Sequence, residues 1–399
     1  MTKTNQKIPE RWSVKKLGEC LSLLKDGTHG THQNSPDGIM LLSAKDVING
    51  NILLPSDSRR ISQKDFNMLH KNYHLQNDDV VLTIVGTIGR CAIIKNYSNN
   101  FTFQRSVAVL RPNKTIISKF LYILLQGKKI QNALFNRQSI SAQPGVYLHD
   151  LSKISFNLPP LCEQEKIAEI LETWDTAIEK LSALIEQKKQ LKKGLMQRLL
   201  TGKQRLPGFS APWKKVKLGD FLTFQTGFPF DSQFFNQEGI GIRLVKNRDL
   251  KSDDQIYFYS GIHTADDIVR DGDILVGMDG DFLPCLWKKG IALLNQRVGR
   301  VLCKKNLDHT FAYYALSSPL EKLQNETAST TVKHLSHSGV LKIKTSIPLD
   351  LSEQKAIADI LSKADEEIAL LTKKLSALKT QKTGLMQKLL TGQIRVKAA

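Results

Sequence analysis

The sequence predicts an α/β (α+β) protein built as a tandem repeat, in which two mixed globules are each followed by a long helix. Three observations support this fold class. The residues GLMQRLLTG at 194–202 recur as GLMQKLLTG at 384–392. Apolar residues recur at helical spacing ahead of both copies. The rest of the chain alternates short apolar runs with Asn, Asp and Gly turns, which is typical of short strands.

The GLMQ peptide closes a longer repeat. The segment from Glu163 to Gly202 matches the segment from Glu353 to Gly392 without a gap. A weaker match upstream aligns residues 12–19 with residues 213–220. Because biased composition alone does not produce matches of this length, the chain is interpreted as two copies of one unit.

Both repeated segments predict a long helix that carries a coiled-coil seam. Their apolar residues follow alternating steps of four and three, the spacing of a face that packs on a partner helix. Lys188 and Lys192 interrupt the first seam. Two matching seams predict one helix pair. The seam residues are Ile167, Leu171, Trp174, Ile178, Leu181, Ile185, Leu195 and Leu199 in the first copy and Ile357, Leu361, Ala364, Ile368, Leu371, Leu375, Leu378, Leu385 and Leu389 in the second.

Start and stop signals agree with these helices. Pro159 and Pro160 precede the first helix, and Ser352 is the predicted N-cap of the second. Each helix is expected to end at a glycine, Gly202 or Gly392, because glycine adopts the left-handed cap conformation without steric cost.

The remaining segments predict short strands with a few helices between them. Predicted strands include VVLTIVG at 80–86, SVAVLRP and DILVGM, and predicted helices cover Lys119 to Gln126 and His309 to Gln324. The expected domains are a first globule at residues 1–158, a first helix at 159–202, a second globule at 203–348 that begins with a Gly/Pro-rich linker at 203–212, and a second helix at 349–399.

The charge of the chain favours a polyanionic partner. The formal net charge is +19, and such an excess attracts nucleic acid or anionic membrane. No apolar run reaches membrane-spanning length, and MTKTNQKIPE lacks the apolar core of a signal peptide. Nucleic acid is therefore the favoured partner, and a basic surface that serves only solubility is the alternative.

The five cysteines are scattered and form no CxxC pair. This pattern indicates reduced thiols that serve packing, and it predicts a cytoplasmic protein. They are Cys20, Cys91, Cys162, Cys285 and Cys303.

Motifs for catalysis are mostly absent. There is no GxxxxGK[ST] phosphate loop. NLPPL at 157–161 resembles the base-gripping loop of aminomethylating enzymes but lacks its aromatic residue, and we interpret it as a proline pair at a helix entry. Asp350, Glu353 and Lys355 imitate a nuclease set but fall on a helix start instead of on adjacent strands. The sequence thus predicts no catalytic residue.

Histidines do not predict a metal site either. His29 and His32 lie in the glycine-rich stretch GTHGTH without a further ligand at suitable spacing. His70 and His74 lack the acid of an HExxH motif. We interpret the histidine-rich stretch as a turn or a loop that faces DNA.

Polar and basic clusters in both globules are candidates for DNA binding. Arg and Lys contact guanine edges, Asn and Gln contact adenine edges, and all four contact phosphates. Gln-Arg pairs recur at 104–105 and 296–297, each ahead of an apolar strand, although a shared structural ion pair would equally explain the recurrence. The candidates are Lys25, His29, Thr31, His32, Gln33, Lys45, Gln104 and Arg105 in the first globule and Arg243, Lys246, Asn247, Arg248, Asn295, Gln296 and Arg297 in the second.

These features resemble the specificity subunit of type I restriction-modification enzymes over essentially the whole chain. The resemblance is carried by W…VKLGE/D before each globule and by P…EQ..IA.IL…D..I…GLMQ[KR]LLTG after it. It implies that the globules are target recognition domains, each reading half of a bipartite DNA site. It also implies that the helices are conserved spacers that pair antiparallel as a coiled coil with pseudo-twofold symmetry.

The resemblance further implies where the chemistry resides. Two modification subunits would use S-adenosylmethionine to methylate adenine at N6, and restriction subunits would use ATP and Mg to translocate on double-stranded DNA and cleave it. This chain would be non-catalytic and would hold no cofactor or metal itself. Candidate contacts to the modification subunits lie in the repeated peptide at Leu195, Met196, Leu199, Leu385, Met386 and Leu389.

Two other classes of function remain open from sequence. One is a coiled-coil scaffold or inhibitor whose basic charge is incidental. The other is a standalone nuclease or methyltransferase with unrecognised motifs. A DNA-binding assay without partners or cofactor distinguishes the three.

Overall fold

The computed structural model describes residues 8–138, 144–326 and 334–397. The chain divides into two compact units. Unit 1 runs to Leu181 and resumes at Lys374, and unit 2 comprises Ser182–Lys373. Two long helices, Leu161–Leu199 and Leu351–Leu390, contribute one part to each unit. The predicted class of mixed α/β units with two long helices is confirmed.

Unit 1 contains two main sheets. Its strands are β1 (Ser13–Lys16), β2 (Leu21–Asp26), β3 (Ile39–Leu42), β4 (Val47–Ile48), β5 (Asn51–Ile52), β6 (Arg60–Ile61), β7 (Val80–Thr83), β8 (Cys91–Ile93), β9 (Phe101–Phe103), β10 (Val107–Pro112) and β11 (Ser155–Leu158). Its helices are α1 (Gln63–Leu69), α2 (Ser118–Gln126), α3 (Lys128–Phe135) and α4 (Leu148–Ser152), followed by the long helix α5 (Leu161–Leu199). An antiparallel sheet has the order β2-β10-β7-β8, and a second sheet has the order β6-β3-β9.

Unit 2 repeats this plan. Its strands are β12 (Lys214–Lys217), β13 (Leu222–Thr226), β14 (Phe235–Asn236), β15 (Ile242–Val245), β16 (Tyr257–Tyr259), β17 (Ile268–Val269), β18 (Ile274–Gly277), β19 (Pro284–Leu286), β20 (Ala292–Leu294), β21 (Val298–Cys303) and β22 (Lys344–Ile347). Its helices are α6 (Leu218–Phe221), α7 (His309–Ala315), α8 (Ser317–Glu326) and α9 (His337–Lys342), followed by the long helix α10 (Leu351–Leu390). The sheet β13-β21-β18-β19 corresponds to β2-β10-β7-β8 of unit 1. The two units therefore share the topology of this four-stranded sheet, whereas the second sheet has three strands in unit 1 and five in unit 2, in the order β14-β16-β15-β20-β17.

Helices α5 and α10 pack antiparallel, and ion pairs fix their register. Asp175 binds Lys382 in unit 1 (2.5 Å), and Asp365 binds Lys192 at the repeated position in unit 2 (2.5 Å). Lys188, which also interrupts the seam, pairs with Glu367 (2.6 Å). The lysines that break the apolar pattern therefore have carboxylate partners on the facing helix, which explains why the seam tolerates them.

A Trp-Glu-Arg cluster fixes the start of each long helix. In unit 2, the buried Glu353 carboxylate accepts hydrogen bonds from Trp213 Nε1 (3.2 Å) and from Arg205 Nε and Nη2 (2.7 and 2.9 Å). In unit 1, Glu163 accepts from Trp12 Nε1 (3.0 Å) and Arg395 (2.5 and 3.0 Å). Arg395 follows α10 as Arg205 follows α5, so both post-helix segments clamp a helix start with a bidentate guanidinium.

The glutamine of each Glu-Gln pair joins the same helix start to three backbone groups in two loop segments. Gln164 is fully buried; its Oε1 accepts from Ile117 N, and its Nε2 donates to the carbonyls of Thr115 and Pro159. Gln354 accepts from Asp308 N and donates to the carbonyls of Pro348 and Asn306. A buried amide must be satisfied, and here it is satisfied by backbone groups of the globule.

Helix boundaries differ from the sequence expectation at two points. Helix α10 begins at Leu351 and is capped by Asp350, whose Oδ1 accepts from Ser352 N (2.8 Å), so the prediction of Ser352 as N-cap is wrong. The predicted helix from His309 to Gln324 is two helices, α7 and α8, separated at Leu316. Pro319 explains the break, because proline is tolerated only in the first turn of a helix.

Both predicted helix-ending glycines have the expected conformation. Gly202 has φ +68° and Gly392 has φ +72°. These values lie in the left-handed region where residues with a Cβ are strained. The repeated Thr-Gly thus ends both long helices in the same way.

The five cysteines form no disulfide. Burial raises the pKa of the Cys91 thiol to about 12, which agrees with a packing role. Among residues 8–138, 144–326 and 334–397, no group of three or more His, Cys, Asp or Glu side chains is arranged to hold a metal ion. In the same part of the chain, no helix is both long and apolar enough to cross a membrane.

Candidate nucleic-acid interface

Several loops of unit 1 lie at one end of its four-stranded sheet. Residues 27–38 follow β2, residues 84–90 join β7 to β8, and residues 104–106 precede β10. Because neighbouring strands are antiparallel, these connections lie at the same end of the sheet. We call this set the loop end of unit 1. Thr28 N donates to Phe103 O (2.9 Å), and Arg105 N donates to Thr28 O (2.9 Å), so backbone bonds hold two of the loops together.

Unit 2 has an equivalent loop end. It comprises residues 227–234 after β13, 278–283 between β18 and β19, and 295–297 before β21. Phe228 N donates to Leu294 O (2.9 Å), and Gln296 N donates to Phe228 O (3.1 Å). Each first loop begins with a glycine because a Cβ would lie 2.1 Å from Phe103 O at Gly27 and 2.2 Å from Asn295 O at Gly227. The close backbone approach is therefore built into both units.

The candidates of the first loop in unit 1 are placed by local hydrogen bonds. His29 is exposed, with Nε2 2.5 Å from Asp26 Oδ2. The His32 ring is half-buried, 2.8 Å from Thr28 Oγ1. Thr31 and Gln33 are exposed. The loop thus presents hydroxyl, amide and imidazole groups to solvent and uses His32 to hold its own shape.

The other candidates in unit 1 differ in exposure. Lys25 lies near the end of β2 with its ammonium 4.3 Å from the centre of the Tyr73 ring, a cation–π contact. Lys45 is exposed in a turn whose Ala44 N donates to Ser106 Oγ (3.1 Å). Gln104 is half-buried, whereas Arg105 is exposed, and its side chain forms no ion pair or hydrogen bond with the described residues. Arg105 is therefore, like the exposed Lys45, available to bind a ligand.

Two of the unit 2 candidates make internal contacts. The Arg243 guanidinium lies 5.0 Å from the Trp287 ring centre and binds Asp253 (2.5 Å), which favours a structural role. Asn247 Nδ2 donates to Asp279 O (2.6 Å) and so braces the loop between β18 and β19. These contacts position the loop end and leave little of either side chain for DNA.

Lys246 and Arg248 form a basic-aromatic cluster. The Lys246 ammonium lies 3.4 Å from the Tyr257 ring centre, and the Arg248 guanidinium lies 5.3 Å from it. Burial lowers the pKa of Lys246, and burial raises the pKa of the neighbouring Asp249 carboxyl. Arg248 is exposed and also donates to Gln255 Oε1 (2.7 Å). The Tyr257 ring therefore makes cation–π contacts with both side chains.

The two Gln-Arg pairs are not structurally equivalent. The matched backbone bonds pair Arg105 with Gln296, because each N–H donates to the carbonyl of the residue after the repeated glycine, Gly27 or Gly227. Ser106 corresponds to Arg297, since Ile84 N donates to Ser106 O and Met278 N donates to Arg297 O. The sequence-based match of 104–105 with 296–297 is therefore wrong by one residue.

The residues of the second unit's pre-strand loop still lie at its loop end. Gln296 and Arg297 are exposed, whereas Asn295 is buried and its Oδ1 accepts from Gln296 N (2.8 Å). Arg297 Nε lies 3.4 Å from Asp279 Oδ2, an ion pair that keeps the guanidinium at the surface. Asn295 shapes the loop, and the other two side chains face solvent.

Sequence reasoning missed two exposed aromatic residues at the loop end of unit 2. Phe228 is 52% exposed and Phe234 is 41% exposed. Phe228 occupies the position of Thr28 in unit 1. The sequence feature that could have predicted the exposure of Phe228 is the FPF tripeptide at 228–230, in which an aromatic residue precedes a proline in a turn. The two loop ends therefore present different chemistry on the same backbone.

The candidate partner contacts pack against the units themselves. Leu199 and Leu389 are each 1% exposed and lie in the cores of unit 2 and unit 1. The other four residues are partly buried against the same cores: Leu195 and Met196 in unit 2, and Leu385 and Met386 in unit 1. The repeated peptide thus anchors each helix end to a globule.

The chain belongs to a known family. The family model described as the type I restriction modification DNA specificity domain matches residues 9–190 and 211–380. The protein is therefore a type I restriction-modification specificity subunit, which serves DNA sequence recognition and is not itself an enzyme.

Named relatives agree with this membership. The chain is 26% identical to the putative type I restriction enzyme MjaX specificity subunit of Methanocaldococcus jannaschii, over 98% of this chain and 95% of the relative. It is 34% identical to the type I restriction enzyme EcoBI specificity subunit of Escherichia coli over 188 residues, which are 46% of this chain and 39% of the relative. The fold resembles the crystal structure of the M. genitalium S subunit with a TM-score of 0.58, 17% identity and 98% coverage of both chains.

Proposed function

We propose that residues 1–158 and 203–348 are two target recognition domains, each of which reads one half of a bipartite DNA site through its loop end. The observation that carries this proposal is the repetition of exposed Arg and Gln side chains at equivalent ends of two sheets. Phosphate contacts by such groups position a protein on DNA, and contacts to base edges specify the sequence. The two loop ends share a backbone arrangement but differ in their side chains, as expected of two domains that recognise different half-site sequences.

The proposed partners perform the chemistry. Two modification subunits carry S-adenosylmethionine and methylate adenine at N6, and restriction subunits use ATP and Mg to translocate and cleave double-stranded DNA. The two repeated segments at 159–202 and 349–399 are the spacers, and their repetition fits two identical modification subunits. The proposed contacts lie on the turns that carry Leu195, Met196, Leu385 and Met386, whereas Leu199 and Leu389 support the cores of their own units.

Arg105 provides the test of this proposal. In cells that express the chain with its modification subunit, methylated-base sequencing should reveal one bipartite adenine-methylated motif. Arg105→Ala should lower methylation through one half-site, because losing a base-contacting arginine costs roughly 1–3 kcal/mol, or about tenfold or more in binding. The melting temperature should stay near that of the wild type, since Arg105 is exposed.

Lys95→Ala removes an exposed charge from the same unit, away from the loop end, and is the matched control. It should leave the methylated motif and its level unchanged. A loss of folded protein in Arg105→Ala, or equal methylation in both variants and the wild type, would remove Arg105 from the recognition surface.

A further inference from the structure

Unit 2 carries a basic face on its β12–β22 strand pair, which is separate from the loop end of that unit. In the β12–β22 pair, Lys217 lies directly opposite Lys344, and Lys215 lies opposite Ser346. Side chains alternate across a strand, so these four residues share one face, and Val216 and Ile347 point to the other face and pack on the core. We call Lys215, Lys217, Lys344 and Ser346 the lysine face.

The lysine face carries three ammonium groups against one carboxylate, Asp220, in the adjoining groove. Lys215, Lys217 and Lys344 are exposed, and none of them forms an ion pair within the described parts of the chain. Like charges directly opposite each other destabilise a sheet. The three lysines border a groove of about 810 Å³ that is lined in addition by Val216, Asp220, Thr345 and Ser346. Repulsion between the lysines raises the free energy of the isolated sheet, and a bound anion would remove that repulsion.

The face lies at the opposite end of unit 2 from its loop end. Strand β12 and helix α6 precede β13 at Leu222, whereas the loops follow β13 at Thr226. Lys304, just after β21, donates to Gly219 O (2.6 Å), and Gln354 joins Pro348, just after β22, to the 306–308 turn at that same end. Strand β13 alone spans about 16 Å at 3.3 Å per residue. A straight duplex that lies on the loops therefore does not reach the lysine face.

The composition of the face indicates a phosphate backbone instead of a protein. Cores of protein interfaces are depleted in lysine and enriched in aromatic residues, Met and Arg. The lysine face has no exposed aromatic or large apolar residue, and it combines ammonium groups with the hydroxyl of Ser346, a group that commonly donates to phosphate. The equivalent face of unit 1 carries Val14, Lys16, Ser155 and Asn157 and so has one lysine. The basic face therefore does not serve a partner that binds both units alike.

We infer that the lysine face binds the backbone of a second DNA segment, without sequence preference, while the loop ends hold the recognised site. This inference rests on the proposed function. A protein that holds two segments can pass from one to the other without first dissociating into solution. Competing DNA should therefore accelerate release from the recognised site.

The test uses the complex of the full chain with its modification subunits. The dissociation rate from a labelled duplex containing the methylated motif is measured against increasing concentrations of an unlabelled duplex without it. For the wild type, the rate should rise with competitor concentration. For Lys215→Gln/Lys217→Gln/Lys344→Gln the rise should be lost, while the motif and the affinity without competitor are kept.

A second measurement is the salt dependence of binding to the duplex without the motif. The slope of log K against log salt should fall by about 0.9 for each lost phosphate contact, or up to roughly 2.7 for three lysines. The matched control is Lys95→Gln/Lys114→Gln/Lys129→Gln, which removes three exposed charges of unit 1 that have no ion pair among the described residues. It should keep the competitor effect.

Three outcomes overturn the inference. One is a wild-type rate independent of competitor, and another is an unchanged competitor effect in the lysine-face variant. The third is loss of a protein subunit from the assembled enzyme with intact DNA kinetics, which would identify the face as a protein contact. Failure of the wild-type complex to bind any specific site would instead contradict the proposed function itself.

Discussion

Replacing Glu353 with alanine should destabilise unit 2 more than any exposed substitution on the same helix. Glu353 is 1% exposed and accepts three hydrogen bonds from Arg205 and Trp213. Its removal leaves the indole N–H without an acceptor and the guanidinium without its carboxylate. Breaking a buried ion pair costs about 3–5 kcal/mol, and because Arg205 is partly exposed we expect roughly 2–3 kcal/mol.

Hydrogen exchange measured by mass spectrometry resolves this effect by region. In Glu353→Ala, protection should fall at β12 and at the start of α10, while unit 1 keeps its protection. Glu366→Ala is the matched control, because Glu366 is exposed on the same helix and forms no ion pair within the described residues. Equal protection in the two variants would show that the Trp-Glu-Arg cluster does not hold the helix start.

Lengthening both long helices by one heptad should widen the gap between the two half-sites. The midpoint between the two matched ion pairs falls after Ala183 in α5 and after Lys373 in α10. Duplicating residues 177–183 and 367–373 therefore inserts seven residues at facing positions and preserves the seam. The helices become longer by about 10 Å at 1.5 Å per residue. At about 3.4 Å per base pair, the gap should grow by up to roughly three base pairs.

Methylated-base sequencing reports both the half-site sequences and their separation. The half-site sequences should not change, because the insertion leaves every loop residue in place. Inserting five residues at the same points is the control, since five residues turn a helix by about 500° and so leave the seam rotated by about 140° from its partner, which should abolish methylation. An unchanged gap in an active heptad variant would mean that the helices do not set the spacing.

The two long helices were predictable from sequence because their sequence pattern occurs twice in the chain. A repeated apolar stripe with flanking Pro and Gly specifies a helix and its ends by local rules. The interruption by Lys188 and Lys192 was not explained by those rules. Its reason is the facing carboxylates of Glu367 and Asp365, which depend on the register between helices distant in sequence.

The candidate interface was less predictable because exposure and backbone register decide it. Arg243 and Asn295 share the polar character of true surface residues, but one stacks over Trp287 and the other is buried in a loop. The two Gln-Arg pairs are identical in sequence, but the backbone hydrogen bonds show that their structural positions differ by one residue. Pro319, by contrast, was a readable signal for the break between α7 and α8.

Exchange of one globule tests the central claim most directly, namely that each unit reads one half of the site. Residues 1–158 are replaced with the matching segment of a family member of different specificity, and the chimera is expressed with the modification subunit. Methylated-base sequencing should show a new sequence in one half-site and the original sequence in the other, at nearly the original gap. An active chimera in which both half-sites change, or neither does, would contradict the account.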